Sequence, residues 1–250
     1  MLGLDFDLLA GRLREQTAGL AANIDGLDPE TRVPTCPKWQ VRDLVVHVGA
    51  AHRWAAEIIR TDCRVPLPDP SEANPGPPGN WPEWLRIGAT LLIDAVRTVG
   101  PQAKVWIVAT EGPAIFWLRR LLNDTTVHHA DSALTAGVEY KLDPGHAADV
   151  ITEGLQLISY PGAEKLKPEV ADLHGTGQTL LWQPEEPGLD GWRITRTPDG
   201  VRWEASSEAA DVTVSGPVRD LMLMFTGRLP VDGVTGDRAL LNHWVTHTAF

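Results

Sequence analysis

Two histidines and an aspartate carry the most chemistry in this 250-residue sequence. Asp124 and His128 stand four apart in Asp124-Thr125-Thr126-Val127-His128. Residues at that spacing share one face of a helix, one turn above the other. A carboxylate oxygen and an imidazole nitrogen can then reach one point, and both are ordinary ligands of zinc and other divalent ions. His47, in Asp43-Leu44-Val45-Val46-His47, would add a third ligand if a neighbouring helix turns it inward. Three protein ligands leave a fourth position open, as a catalytic zinc site needs. The spacing also fits an exposed i, i+4 pair, or a core histidine held by the carboxylate, and those readings stay open at this point. His129 is the competing donor, but it lies about 100° further around the helix and points elsewhere.

Other reactive side chains have blander readings. His52, His146, His174, His243 and His247 lack a partner at useful spacing and read as surface or capping residues. Trp39, Trp54, Trp84, Trp106, Trp117 and Trp244 read as core packing. Cys36 has no nearby base in sequence and reads as a small residue at a helix start. Asp43 is either a hydrogen-bond partner that fixes the His47 tautomer or an acid favoured by a helix N-terminus. Asp131, three residues after His128, could orient that imidazole in the same way.

Helices must position these groups. Apolar residues recur at three- and four-residue steps over 4–27, 39–62, 82–99 and 113–134, with a fifth such run over 145–159. Pro82 suits a first helical turn. The proline-dense stretch 64–80 cannot be continuous helix and reads as a long connecting loop, which would border the site. After about residue 168, TLLW, WRITRT, VRWEAS and VTVSG read as strands, with Pro198-Asp199-Gly200 as a hairpin turn. Helical segments at 217–224 and 237–248 follow. The pattern predicts an α+β protein: a helical domain over 1–165, then a small α/β domain over 166–250.

Composition narrows the function classes. The net charge of −11 repels phosphate backbones and argues against nucleic-acid binding. No apolar run is long enough to span a membrane. The N-terminus lacks the basic and apolar regions of a signal peptide, so the cytoplasm is the expected compartment. Two cysteines are too few for a disulfide framework.

The run VPTCPKWQVRDLVVHVGAAHRWAAEII, with Cys36-Pro37-Lys38-Trp39, then Arg42-Asp43-Leu44, then His47, resembles the N-terminal signature of the mycothiol-dependent maleylpyruvate isomerase family. Arg119, Arg120, Asp124, His128 and Asp131 resemble its second signature. ADVTVSGPVRDLMLMFTGRLP followed by VTGDRALLNHW is similar to its C-terminal domain. The chain departs in carrying Asp124 where the family has glutamate and Asn123 where it has histidine. The resemblance implies a DinB-like up-down four-helix bundle followed by a sterol-carrier-like domain. It also implies His47, Asp124 and His128 as ligands of a divalent metal, usually zinc, and mycothiol as thiol cosubstrate. Arg228, in the FTGRLP turn, is the expected carboxylate-binding cation, with Arg238 as the alternative.

The expected chemistry is metal activation of a thiol for addition or transfer to an electrophilic small molecule, as an isomerase or S-transferase. Two other readings are a non-catalytic small-molecule-binding protein with a degenerate metal site, and a DinB-like metal-dependent hydrolase.

Overall fold

Capping residues mark several ends of the four long N-terminal helices. In the computed structural model, which describes residues 5–66, 69, 72–107, 110–165 and 167–248, helix α1 spans Phe6–Ile24 and Asp5 accepts from the Leu8 amide at its start. Helix α2 spans Val41–Thr61 and ends at Asp62 in the left-handed region. Helix α3 spans Trp81–Val99, with Pro82 in its first turn, and stops at Gly100 (φ 95°). Helix α4 spans Ile115–Ala136 and closes on Gly137, whose amide reaches the Ala133 and Leu134 carbonyls. A positive φ of 68° there suits glycine and few other residues.

The apolar stripes of these helices meet in two clusters. One centres on Leu13, Ile58, Ile59, Leu92, Ile93 and Leu118. The other joins Leu20, Val41, Val45, Val48, Trp81 and Leu85. Each such side chain contributes about 1.5–3 kcal/mol when fully buried. Helix α1 packs on α3 and α4, and α2 packs on the same two helices. The shared partner α4 brings α2 beside the Asp124–His128 turn.

Two short antiparallel hairpins interrupt the helices: β1 (Arg32–Val33) with β2 (Cys36–Gln40), and β3 (Lys104–Trp106) with β4 (Glu111–Pro113). The sequence pattern predicts loop at the first, because strands of two to five residues carry too few alternations to show a period. Of the connecting stretch 64–80, residues 67, 68, 70 and 71 lie outside the described set, and Pro78–Asn80 forms a 3₁₀ turn.

The contacts divide the chain into Met1–Tyr140 and Lys141–Phe250. This is earlier than the 165/166 division that composition suggests. Helix α5 (Pro144–Ile158) packs on α6 (Val218–Phe225) within the second unit. The Phe225 ring occupies the space that a side chain at Gly154 would need. The second unit also holds a five-stranded sheet in the order β7-β6-β5-β8-β9, built from Thr179–Pro184 (β5), Trp192–Thr197 (β6), Gly200–Ala205 (β7), Val212–Gly216 (β8) and Val234–Gly236 (β9). Only β5 and β8 run parallel. Helix α7 (Arg238–Thr248) completes the unit. The protein is therefore α+β, with a helical N-terminal region and a C-terminal sheet region. No helix among the described residues is long and apolar enough to cross a membrane.

Close approach of α2 and α3 depends on Gly49. A Cβ there would stand 1.9 Å from the Trp84 ring, and Arg53 lies 4.1 Å over that ring's centre. Gly49→Ala is expected to destabilise the fold by about 1–3 kcal/mol through overpacking, read as a lower urea midpoint with unchanged m-value.

Candidate metal centre

Helix α2 holds His47 two turns from its start. The first turn is set by Asp43, whose Oδ2 accepts from the Gln40 amide at 2.9 Å. Asp43 therefore serves the helix N-terminus in this structure. On α4, Asp124 and His128 share the face turned toward α2. His47 Nε2 lies 3.4 Å from Asp124 Oδ2, and His128 Nε2 lies 3.9 Å from the same oxygen. One ligand atom from each of the three residues falls within 4.8 Å of the other two, and no other group of three such side chains does so among the described residues. These separations exceed the roughly 2.7–3.2 Å of a good hydrogen bond. Two ligands of one tetrahedral zinc, each about 2.0–2.1 Å from it, stand about 3.4 Å apart. The donor set and its spacing thus fit a divalent ion.

Electrostatics keeps the carboxylate available. Burial, the largest single influence, pushes the Asp124 carboxyl up; the close approach of His47, and the pull of His128 and the Arg120 guanidinium, outweigh it and hold the group well below the usual carboxylate range. Arg120, one turn earlier on α4, places Nη2 3.0 Å from Asp124 Oδ1. His47 is 38% exposed and His128 only 8%, so the cluster opens on the His47 side.

Behind His128 lies a fully buried carboxylate. Asp131 Oδ2 is 2.8 Å from His128 Nδ1. With Nδ1–H donating to Asp131, Nε2 keeps its lone pair for the cluster. The Thr35 hydroxyl donates to Asp131 Oδ1 at 2.6 Å, and Cys36 Sγ lies 3.7 Å from Oδ2. Both come from the β1–β2 hairpin. The same hairpin carries Trp39, whose ring centre stands 4.8 Å from that of His47 and 5.4 Å from that of His128. Trp39 is thus a wall of the cluster on β2. It does not occupy the helical core position that the residue type suggests. Its one sequence signal is its place in Cys36-Pro37-Lys38-Trp39. Thr35 carries no spacing that marks its contact, whereas Arg120 stands four residues before Asp124, a spacing that puts the two on one helix face.

Other histidines fall elsewhere. His129 Nδ1 meets Gln16 Oε1 at 2.7 Å, away from the cluster, and burial lowers its pKa to about 4. His52 is not a surface residue. It is fully buried, with Nε2 2.8 Å from Thr125 Oγ1. That hydroxyl sits 2.6 Å from the Leu121 carbonyl, so it donates there and His52 Nε2–H donates to it. His146 is also buried, and its amide is held by the Asp143 cap of α5. His243 and His247 stack on α7, and His247 lies 3.5 Å from Asp172. Arg228 belongs to the second unit, where Nη1 donates to the Thr226 carbonyl. Arg238 opens α7 on the surface.

A helical bundle that turns a carboxylate and two imidazoles inward from facing helices is one of the standard ways such folds hold a metal. Residues 10–133 match the family described as mycothiol maleylpyruvate isomerase N-terminal domain, and over that region the chain belongs to it. A crystal structure of the mycothiol-dependent maleylpyruvate isomerase aligns with TM-score 0.60 at 15% identity, covering 93% of this chain and 92% of that one. The crystal structure of a histidine-to-alanine mutant of the mycothiol-dependent maleylpyruvate isomerase gives 0.59 at 16% identity, with the same coverage. At these identities the likeness is one of fold. No curated protein matches the sequence.

The neutral His52 ring makes stability depend on pH. Burial lowers its pKa from 6.5 to about 4, helped by the Arg53 and His47 charges against Asp124. The unfolded chain therefore takes up a proton below pH 6.5 that the folded chain refuses until about pH 4. Stability from this group is full above pH 6.5 and declines by at most about 1.4 kcal/mol per unit as pH falls toward 4. Urea unfolding at pH 7 and pH 5 should show His52→Gln losing about 2 kcal/mol less than wild type over that interval; equal losses would contradict the assignment.

Proposed function

We propose that this protein is a metal-dependent enzyme that uses mycothiol, with His47, Asp124 and His128 holding a divalent cation, zinc by donor type. The single observation that carries the reading is the convergence of the three donors, with His128 anchored from behind by buried Asp131. The family match over residues 10–133 and the fold likeness support mycothiol as the thiol. A bound zinc would lower the pKa of a thiol at its open position, and the thiolate is the reactive nucleophile.

The chain's own residues do the rest. Asp131 fixes the His128 tautomer and ring plane, while Thr35 shares the burden of its buried charge. Trp39 covers one side of the two imidazoles and leaves the exposed edge of His47 as the approach. Arg228 is proposed to grip a substrate carboxylate, for which its planar fork of donors is suited. The electrophile is a small molecule of the maleylpyruvate kind, and the reaction is isomerisation by thiol addition and elimination, or transfer of the thiol to it. The cytoplasm is the compartment proposed for it.

Metal analysis tests the ligand set. Wild type should carry close to one zinc per chain after reconstitution, while His47→Ala and His128→Ala lose it; both variants retaining full metal would refute the assignment. Asp131→Asn should weaken zinc binding about 10–100-fold, as loss of a partner behind a ligand does, measured by competition with a chelating dye. With metal present, maleylpyruvate turnover should require mycothiol. Turnover by water alone would establish a hydrolase, and metal-free wild type a binding module. Arg228→Ala should raise KM for a carboxylate substrate by about tenfold or more, with zinc content unchanged.

A further inference from the structure

The two oxygens of Asp124 face different partners. Oδ2 is the oxygen nearest both imidazoles, at 3.4 and 3.9 Å. Oδ1 lies 3.0 Å from Arg120 Nη2. Arg120 and Asp124 stand four apart on α4, so the guanidinium reaches the carboxylate from the preceding turn of the same rigid helix. Both side chains are substantially shielded, at 29% and 19% exposed. We propose that Arg120 is a positioning residue that makes Asp124 a one-oxygen ligand and so keeps a coordination position free for the thiol. This rests on the metal reading given above.

A carboxylate can bind a cation through one oxygen or through both. Two imidazoles and both carboxylate oxygens make four donors, the number that closes a structural zinc site. Two imidazoles and one oxygen make three, the number that leaves room for a reactant. Aspartate has a single torsion beyond Cβ with which to present one oxygen or two. A charge-assisted hydrogen bond to Oδ1 opposes the rotation that would bring that oxygen round to the histidines. The Arg120 guanidinium also repels a cation from the Oδ1 side. Its effect on the cation is exerted through Asp124.

Cobalt(II) in place of zinc reads this directly, because its visible absorption is most intense when four-coordinate and falls as the coordination number rises. Cobalt-loaded wild type, Arg120→Met and Arg120→Lys are titrated with 2-mercaptoethanol, following the sulfur-to-cobalt charge-transfer band. Arg120→Met, which keeps the apolar stem, is expected to lose about tenfold or more in thiol affinity, with an altered visible spectrum before thiol is added. Arg120→Lys, which keeps a charge near Oδ1, should fall between it and wild type. Should Arg120→Met fail to fold, Arg120→Gln gives the same reading. Thiol affinity within about twofold of wild type, with an unchanged spectrum, overturns the proposal while leaving the metal site standing. Wild type that takes up no cobalt overturns the metal reading and this inference with it.

Discussion

Asp124 stays ionised in a shielded setting because its neighbours divide it between them. His47 and His128 stand against one oxygen and Arg120 against the other. An uncompensated carboxylate at that depth would take up a proton rather than remain charged. The compensation is supplied by two helices, so it works only at one register of α2 against α4. The His52–Thr125 hydrogen bond lies in the dry interior next to that crossing and links the same two helices. Packing and chemistry therefore impose the same constraint. The glycine at 49, against the Trp84 ring, lets α3 approach α2 on its other side.

Much of this was legible in the sequence, and the reason is periodicity. The four bundle helices carry apolar stripes long enough to show a 3.6-residue period, and Pro82 and Gly137 mark a beginning and an end. The strand β5 shows as a short apolar run and β6 to β8 as alternating segments in the sequence. The hairpins β1–β2 and β3–β4 are too short to show a period. Helix α5 shows its stripe, but a stripe does not say which partner it covers, and α6 covers it.

The candidate site divides along the same line. Asp124 and His128 could be paired from their spacing, since one helix face decides it. Their meeting with His47 is a matter of helix packing, to which the family motif points and which spacing alone leaves open. Asp131 was suggested by its place three residues after His128 and does bond that imidazole. Thr35 and Trp39 sit on a hairpin whose geometry no pattern announces. A buried histidine such as His52 and an exposed one look alike in sequence; only the neighbouring Thr125, supplied by another helix, tells them apart.

The β1–β2 hairpin leads directly into α2. Thr35 and Cys36 reach Asp131, Trp39 lies over both imidazoles, and His47 follows two turns into the helix. A single uninterrupted peptide, from 35 to 47, thus furnishes one wall and one donor of the cluster and the support behind Asp131, while α4 furnishes the other two donors. Divergence of selectivity in such a protein need not be scattered across the chain. Exchange of that one cassette would alter the covering ring, the support of Asp131 and the His47 donor together, with Asp124 and His128 left on α4.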